Sequence, residues 1–409
     1  MTRVYRIAGY DISPGHEKWN DGLAYCHKKS VRPLCMCTPQ GVKMYVAKTK
    51  SGYCIKRMPK QGEQHAVTCP SYEAPRELSG RGYVDDAAIS EDEKTGETAL
   101  KVDFPLTKNK NAKAPEAPDG APTDTVESVQ KKLTLRALFD YLYDEAELNQ
   151  YHPSERRKSY RYIRERLIQT LNNKRTKNLA LDERVLIPEA FILDKKDEHF
   201  QSVRKFLSQL KPKNKTRPVG VLVGEFKAIE QARFGYKLLV KHLPSNPIFF
   251  DEKMHGKIEK AFSYELSVFA ENEDAKVLVV TTFYVTESGN LQMDLCTMVP
   301  VNKDWIPFYS NDEKFLIDKL ASDSVQFTKT LRYNIPSKEV IASVVIPKND
   351  ELLAVYCVPM GADSEYINSL DNVLEKTKAD AMVIDFNSDS VVEAINGLSK
   401  TMALKDTSF

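Results

Sequence analysis

The sequence has no long hydrophobic run and little net charge. Its 409 residues include 59 Lys and Arg against 57 Asp and Glu, a net charge of +2. No segment approaches the roughly 18 apolar residues that a transmembrane helix needs, and the opening Met-Thr-Arg-Val-Tyr-Arg is too polar for a secretory signal. We therefore expect a soluble, cytoplasmic protein with no membrane partner. Any nucleic-acid surface must come from local clusters of basic residues.

Cysteine is also scarce, with 7 residues, but its distribution is uneven. Cys35 and Cys37 are separated by one residue, and His65 precedes Cys69 by four positions. Thiolate sulfur and imidazole nitrogen are the donors that zinc prefers, and a full set of four protein ligands is typical of structural sites. The spacing predicts a zinc ion that stabilises the N-terminal region and takes no part in catalysis.

Other interpretations of these cysteines stay open. They could form a metal-free buried cluster, because cysteine often packs as a small hydrophobic residue. Cys26 and His27 are possible substitute ligands. Disulfides are disfavoured by the expected reducing compartment. Residues 42–47 and 53–58 alternate like two strands of a hairpin, which would bring the two ligand pairs together as in a zinc ribbon.

Composition divides the chain into segments. Residues 106–128 are dominated by Pro and small polar residues and predict a disordered linker. It separates a zinc-ribbon-like β module at 1–105 from a helical, winged-helix-like basic module at 129–210. Residues 211–409 mix strand and helix patterns and predict an α/β domain. The predicted fold class is therefore α+β and multidomain.

Basic residues are concentrated in two places. One is the proposed hairpin, and the other is a helix predicted to begin near Pro153 and Ser154. Such residues can contact nucleic-acid phosphates, although charged helix faces are more often simply solvated. The candidate nucleic-acid-binding residues are Lys56, Arg57, Lys60, Arg156, Arg157, Lys158, Arg161 and Arg164.

The last hundred residues predict the order helix, strand, strand, helix, strand, helix. This order is similar to the core of restriction-endonuclease-like nucleases, which hold Mg²⁺ on carboxylates of the paired strands. The strands predicted at 340–346 and 352–358 carry no carboxylate or lysine at those positions. We therefore expect an inactive nuclease-like domain without catalytic residues.

Several motifs resemble one bacterial family. They are Arg32-Pro33-Leu34-Cys35-Met36-Cys37, His65-Ala66-Val67-Thr68-Cys69-Pro70, Leu78-Ser79-Gly80, Val223-Gly224-Glu225-Phe226-Lys227 and Trp305-Ile306-Pro307. They are similar to the proteins grouped as domain of unknown function eleven-seventy-three, which are carried on integrative conjugative elements and plasmids. The resemblance implies an accessory protein of a mobile genetic element with no established activity.

The predicted function is a non-catalytic, zinc-containing protein that binds nucleic acid, DNA rather than RNA, on behalf of a mobile element. One alternative is a Mg²⁺-dependent nuclease that uses carboxylates such as Glu225, Asp251 or Glu313. The other is a protein–protein scaffold within a conjugation or defence assembly.

Overall fold

The structure is a computed structural model. It describes residues 3–49, 52–58, 61–75, 78–84, 88–92, 97–109, 131–154, 158–212, 215–336, 339–348 and 351–403. Most of the predicted linker, together with Lys60, Arg156 and Arg157, lies outside these ranges. In the described part, helices and several sheets alternate, which confirms a mixed α and β protein. No described helix has the length and apolar character needed to cross a membrane.

The N-terminal region is a five-stranded sheet packed on one helix. Its elements are β1 Tyr5–Ile7, β2 Tyr10–Ile12, α1 Trp19–Lys29, β3 Leu34–Cys35, β4 Val42–Thr49 and β5 Gly52–Arg57. The strand order is β2-β1-β3-β4-β5. β4 and β5 are antiparallel neighbours, with Tyr45 opposite Lys56 and Ala47 opposite Cys54. The predicted pairing of 42–47 with 53–58 is therefore observed.

A small sheet and three helices follow. The elements are β6 Ile89–Glu91, β7 Thr98–Leu100, β8 Thr107–Asn109, α2 Leu135–Glu145, β9 Gln150–Tyr151, α3 Tyr160–Leu171, β10 Lys174–Thr176, β11 Leu179–Ala180, β12 Val185–Leu186 and α4 Lys196–Gln209. Thr134 caps α2 and Ser159 caps α3, because each side chain accepts a backbone N–H of the first turn. Helix α3 is shorter than the predicted basic helix.

The next unit is a closed β-barrel. Its elements are β13 Thr216–Gln231, β14 Tyr236–Val240, β15 Ile248–Phe250, α5 Glu252–Ala261, α6 Ser263–Glu271, β16 Lys276–Val285 and β17 Leu291–Val301. β13 pairs through its first half with β16 and through its second half with β14. A register shift between Phe226 and Ala228 separates the halves. Such a bulge lets one long strand bend and serve both sides of a barrel.

The connectivity of this barrel identifies its topology. Around the barrel the order is β13-β14-β15-β17-β16 and back to β13, and only the β15–β17 pair is parallel. The helices lie between the third and fourth strands of the barrel. Five strands in the order 1-2-3-5-4-1 form the Greek-key barrel known as the OB fold. Its interior is filled by apolar side chains that include Leu222, Leu238, Ile248, Val279 and Met298.

The C-terminal unit is a separate sheet with helices against it. It contains α7 Asn311–Ser322, β18 Phe327–Lys329, β19 Val344–Lys348, β20 Glu351–Val358, α8 Ser364–Lys376, β21 Asp380–Asp385 and α9 Val391–Ala403. The order is β21-β20-β19-β18-β9. The predicted region 211–409 thus holds two sheets.

The largest core cluster joins parts of the chain that are distant in sequence. It includes Leu100, Leu138, Leu167, Val280 and Leu331. β7 also pairs with β10, and β8 with β13. Residues of all three predicted modules therefore pack in one core, and their strands pair with one another.

One glycine holds two chain segments in close contact. Gly80 donates its N–H to the carbonyl of Leu331 at 2.8 Å, and a Cβ at Gly80 would lie 2.2 Å from the carbonyl oxygen of Arg332. Gly80→Ala must push two backbones apart, so we expect it to destabilise the protein by about 3 kcal/mol. Thermal unfolding would measure this loss.

Gly256 provides the matched control. It is exposed in α5, and no atom lies within 4 Å of a Cβ added there. Gly256→Ala should leave stability unchanged or raise it by up to about 1 kcal/mol. Equal unfolding temperatures for the two variants would contradict the close contact at Gly80.

Candidate functional site

Two loops bring four metal-type donors together. Cys35 ends β3, where it lies opposite Tyr5 of β1 and Val42 of β4, and Cys37 follows in the adjacent turn. His65 comes directly after a 3₁₀ turn, and the N–H of Cys69 bonds to the carbonyl of Ala66 at 2.8 Å. The β4–β5 hairpin connects the two loops. The predicted ligands are therefore assembled by the hairpin that separates them in sequence.

The four donor atoms form one compact group. The Sγ atoms of Cys35 and Cys69 are 3.7 Å apart, and Nδ1 of His65 lies 3.3 Å from Sγ of Cys37 and 3.7 Å from Sγ of Cys69. All four atoms lie within 4.8 Å of one another, an arrangement that could hold a metal ion. Cys26 lies outside the group, buried between α1 and the sheet.

The hydrogen bond between Cys35 and Cys69 shifts the pKa values of these two thiols in opposite directions. The hydrogen bond between the two thiols lowers the pKa of Cys35 and raises the pKa of Cys69 to about 12. One thiolate therefore suppresses ionisation of its neighbour.

The second ligand loop also forms the wall of a charged cavity. The N–H of Ser71 donates to Sγ of Cys69 at 3.4 Å, and its carbonyl accepts from Arg57 at 3.4 Å. Two residues later, Glu73 pairs with Arg57 at 3.2 Å and with Arg81 at 2.8 Å. The loop that carries His65 and Cys69 is thus connected directly to the charged cavity.

This cavity has a volume of about 290 Å³ and lies between the N-terminal sheet, α2 and the C-terminal sheet. Glu145 of α2 is at its centre, 3.1 Å from Arg81, 3.2 Å from Lys174 and 3.5 Å from Arg57. Burial opposes ionisation of Glu145, but these cations hold its pKa well below the usual range. This cluster could not be predicted from the sequence, because its members come from five separate segments.

The predicted nucleic-acid-binding residues are not brought into one surface. Lys56 and Arg57 face the cavity. Lys158 is buried and donates to the carbonyls of Leu148 and Gln150.

Among the candidate residues of the predicted basic helix, two described arginines, Arg161 and Arg164, also have partners within the chain. Arg164 pairs with Glu189 and donates to the carbonyl of Ile187. Arg161 bonds to Glu165 at 2.9 Å, but 80% of its side chain is exposed. Of the five predicted residues that the structure describes, Arg161 alone is mostly open to solvent.

The carboxylates considered for a nuclease lie apart. Glu225 is buried in β13 and pairs with Lys241 at 2.7 Å. Asp251 caps α5 by accepting the N–H of Met254. Glu313 pairs with Lys329 at 3.2 Å. Each has its own structural role, and the one group of metal-type donors in the described residues is the Cys/His group.

The outer face of the barrel is basic and partly aromatic. Because Leu238 and Ile248 point inward, their neighbours Lys237 and Phe249 point outward, and these two lie opposite each other on β14 and β15. Lys227 and Lys241 are exposed nearby, on β13 and just after β14.

An aromatic side chain projects from the loop beside this face. Phe234, between β13 and β14, is 81% exposed. The Arg233 guanidinium lies 5.3 Å from the centre of its ring. The loop turns at Gly235, whose φ of +73° suits glycine. The sequence offered little indication of this surface, since its members become neighbours only when the barrel closes.

Comparison with known proteins gives one result. A family described as "Protein of unknown function (DUF1173)" matches residues 5–385. No curated protein and no solved structure matches the chain. The family match spans most of the 409 residues and confirms the resemblance seen in the motifs. The chain therefore belongs to the DUF1173 family.

Proposed function

We propose that the Cys/His group holds one structural zinc ion. A tetrahedral zinc with Zn–S near 2.3 Å and Zn–N near 2.0 Å places sulfurs roughly 3.8 Å apart, and sulfur and nitrogen roughly 3.5 Å apart. The observed separations of 3.7 Å between sulfurs, and of 3.3 and 3.7 Å from sulfur to nitrogen, agree with this geometry. Four protein ligands leave no position for substrate, so the ion would stabilise the fold.

We further propose that the protein binds single-stranded nucleic acid, DNA rather than RNA, across the outer face of its barrel, without catalysis. The observation that carries this proposal is the OB connectivity combined with the side chains on that face. Ligands of such barrels lie across the second and third strands, between the loops that follow the first and fourth strands. Connectivity alone would not indicate function. The side chains on the outer face indicate which ligand it can bind.

The face carries the two features that unspecific single-strand binding needs. Lys227, Lys237 and Lys241 can follow a phosphate backbone, while Phe249 and Phe234 offer ring surfaces to bases. Lys237 pairs with Glu230 at 2.9 Å and Lys241 with Glu225 at 2.7 Å, so phosphates would compete with these pairs. This surface replaces the basic helix as the proposed contact, since α3 directs most of its described cations inward.

Binding of a fluorescent single-stranded DNA, measured by anisotropy at several salt concentrations, tests this function. Phe234→Ala should weaken binding about tenfold to a hundredfold, the usual effect of losing one base stack. Lys227→Gln with Lys237→Gln should reduce the slope of log affinity against log salt by about 1.4, since each phosphate contact contributes about 0.7.

The matched control for Phe234 is Tyr10 on β2. It is 67% exposed, and Lys18 lies 5.8 Å from its ring centre, so it repeats the cation and aromatic pair on another surface. Tyr10→Ala should bind normally. Loss of affinity on Arg161→Gln with Arg164→Gln, with no effect of the barrel changes, would overturn the barrel assignment and favour the helix.

A further inference from the structure

One ammonium group that faces the charged cavity has no partner among the residues that the structure describes. Lys56 is half-buried on β5 and faces the cavity, and no hydrogen bond or ion pair to it occurs among the described residues. The other five cations that line the cavity all have carboxylate partners: Arg3 and Arg166 pair with Glu147, Arg57 and Arg81 pair with Glu73, and Lys329 pairs with Glu313. An ammonium group that has no protein partner and faces a cavity can contact an anion brought by a ligand.

Charges of both signs surround Lys56, since six cations and five carboxylates line the cavity. Lys174 of β10 contacts Glu145, and Arg57 and Arg81 contact that same carboxylate. Three cations thus converge on one glutamate, whose charge also acts on Lys56. Glu73 and Asp144 offset part of the excess through Arg81.

We propose that this cavity binds a phosphate monoester, with Lys56 as its principal contact and Lys174 and the arginines around Glu145 supplying the surrounding positive field. This inference goes beyond the proposed barrel function and does not depend on it. A phosphate monoester carries about −1.5 to −2 charges at pH 7 and offers three acceptor oxygens. The volume of about 290 Å³ admits a phosphate with a small substituent, at the lower end of small-molecule sites.

Glu91 is a further carboxylate of this cavity. It lines the cavity from β6, and no ion pair to it occurs among the described residues. Burial, followed by the neighbouring charge of Glu145, raises the pKa of Glu91, while Lys174, Arg81 and Arg57 act in the opposite direction. The raised pKa reduces the repulsion between Glu91 and a bound anion.

Binding should depend on pH through Lys56. Burial, followed by the nearby Lys174, lowers the pKa of Lys56 to about 8, while Cys54, Glu145 and Glu91 act in the opposite direction. Tyr45 of β4 lies directly opposite Lys56, and it stays neutral in this range because burial raises its pKa well above 10. The ammonium form, which binds the anion, dominates below pH 8. Affinity should therefore fall as pH rises through about 8, and binding near pH 8 should take up protons.

Titration calorimetry with inorganic phosphate and with adenosine 5′-monophosphate tests the proposal. Lys56→Met should weaken both by at least about tenfold, since a charge-assisted hydrogen bond is lost. Lys43, exposed on the neighbouring strand β4, supplies the control: Lys43→Met should bind as the unmodified protein does. Absence of binding at millimolar concentrations, or equal binding by both variants, would overturn the site.

Two further experiments distinguish loss of the Lys56 charge from poor folding and identify the source of the phosphate. Lys56→Arg preserves the positive charge, and an arginine does not deprotonate near pH 8. This variant should therefore retain phosphate binding and lose its pH dependence near 8. It tests the site even if Lys56→Met folds poorly. A 5′-phosphorylated oligonucleotide compared with its 5′-hydroxyl form shows whether the phosphate belongs to a strand end or to a free nucleotide. Phe234→Ala should leave phosphate binding unchanged, which separates failure of this site from failure of the barrel.

Discussion

Cys69→Ser should abolish stoichiometric zinc binding and unfold the N-terminal sheet. The unmodified protein, purified without chelators, should contain about one zinc per chain. The buried core of this region consists of eight side chains, and two of them are cysteines. A core of this size stabilises little structure by itself, whereas a structural zinc contributes on the order of 10 kcal/mol. We expect a stability loss of more than about 3 kcal/mol.

Elemental analysis and thermal unfolding measure the two parts of this prediction. Cys54→Ala is the matched control, because Cys54 is half-buried in the same hairpin but lies outside the donor group. It should keep its zinc. Cys26→Ala should do the same, which tests the substitute-ligand alternative. Full zinc content in Cys69→Ser would contradict the assignment of the four ligands.

Loss of the metal should also disturb the charged cavity and weaken phosphate binding there. Ser71 bonds to Cys69 on one side and to Arg57 on the other, and Glu73 follows in the same loop. Without the ion, Cys69 no longer anchors this loop. Phosphate affinity should therefore fall in Cys69→Ser even though none of the proposed phosphate contacts has changed, and Cys54→Ala should retain it.

The Cys/His group could be predicted because its chemistry is local. Two cysteines separated by one residue and a His–Cys pair restrict the donor set directly, and the alternation of 42–47 and 53–58 indicates the hairpin that joins them. The resemblance to the family was also available from short motifs. These features depend on few residues at short separation, so little about the fold is needed to infer them.

The barrel could not be predicted in this way. Strong strand patterns at 219–227 and 277–285 were visible, but their pairing joins residues about sixty positions apart, as Val219 with Tyr284 and Glu225 with Leu278. β15 has three residues, too few for a periodic signal. Closure depends on a bulge at Phe226. The outer basic face therefore emerges only from the assembled fold.

The surroundings of the basic residues could not be predicted either, for a different reason. Sequence composition gives the charge of Arg57 and Lys158 but not their surroundings, and both are satisfied within the chain by groups from other elements. A helical pattern shows which side of a helix is apolar. It does not show whether the remaining sides meet solvent or a distant carboxylate.

Glu145→Gln should cause the second large effect, a loss of about 3 kcal/mol in folding stability. The change leaves Arg57, Arg81 and Lys174 converging on a neutral amide. Removing one member of a buried charge network is costly because the remaining charges stay desolvated. The pKa of Glu145 is lowered in the folded protein, so its contribution is complete above the unfolded-state value near 4. The difference between the variant and the unmodified protein should therefore be constant from pH 5 to 8, and it should shrink only under more acidic conditions.

Glu165→Gln supplies the comparison. Glu165 forms the same kind of bond, to Arg161 at 2.9 Å, but 50% of its side chain is exposed, and surface pairs contribute about 0.5 kcal/mol or less. Thermal unfolding of both variants between pH 5 and 8 distinguishes the environments. If Glu145→Gln were as mild as Glu165→Gln, the cations around Glu145 would have to be hydrated or able to turn away. The cavity would then be an open surface, and Lys56 would have no reason to require an anion.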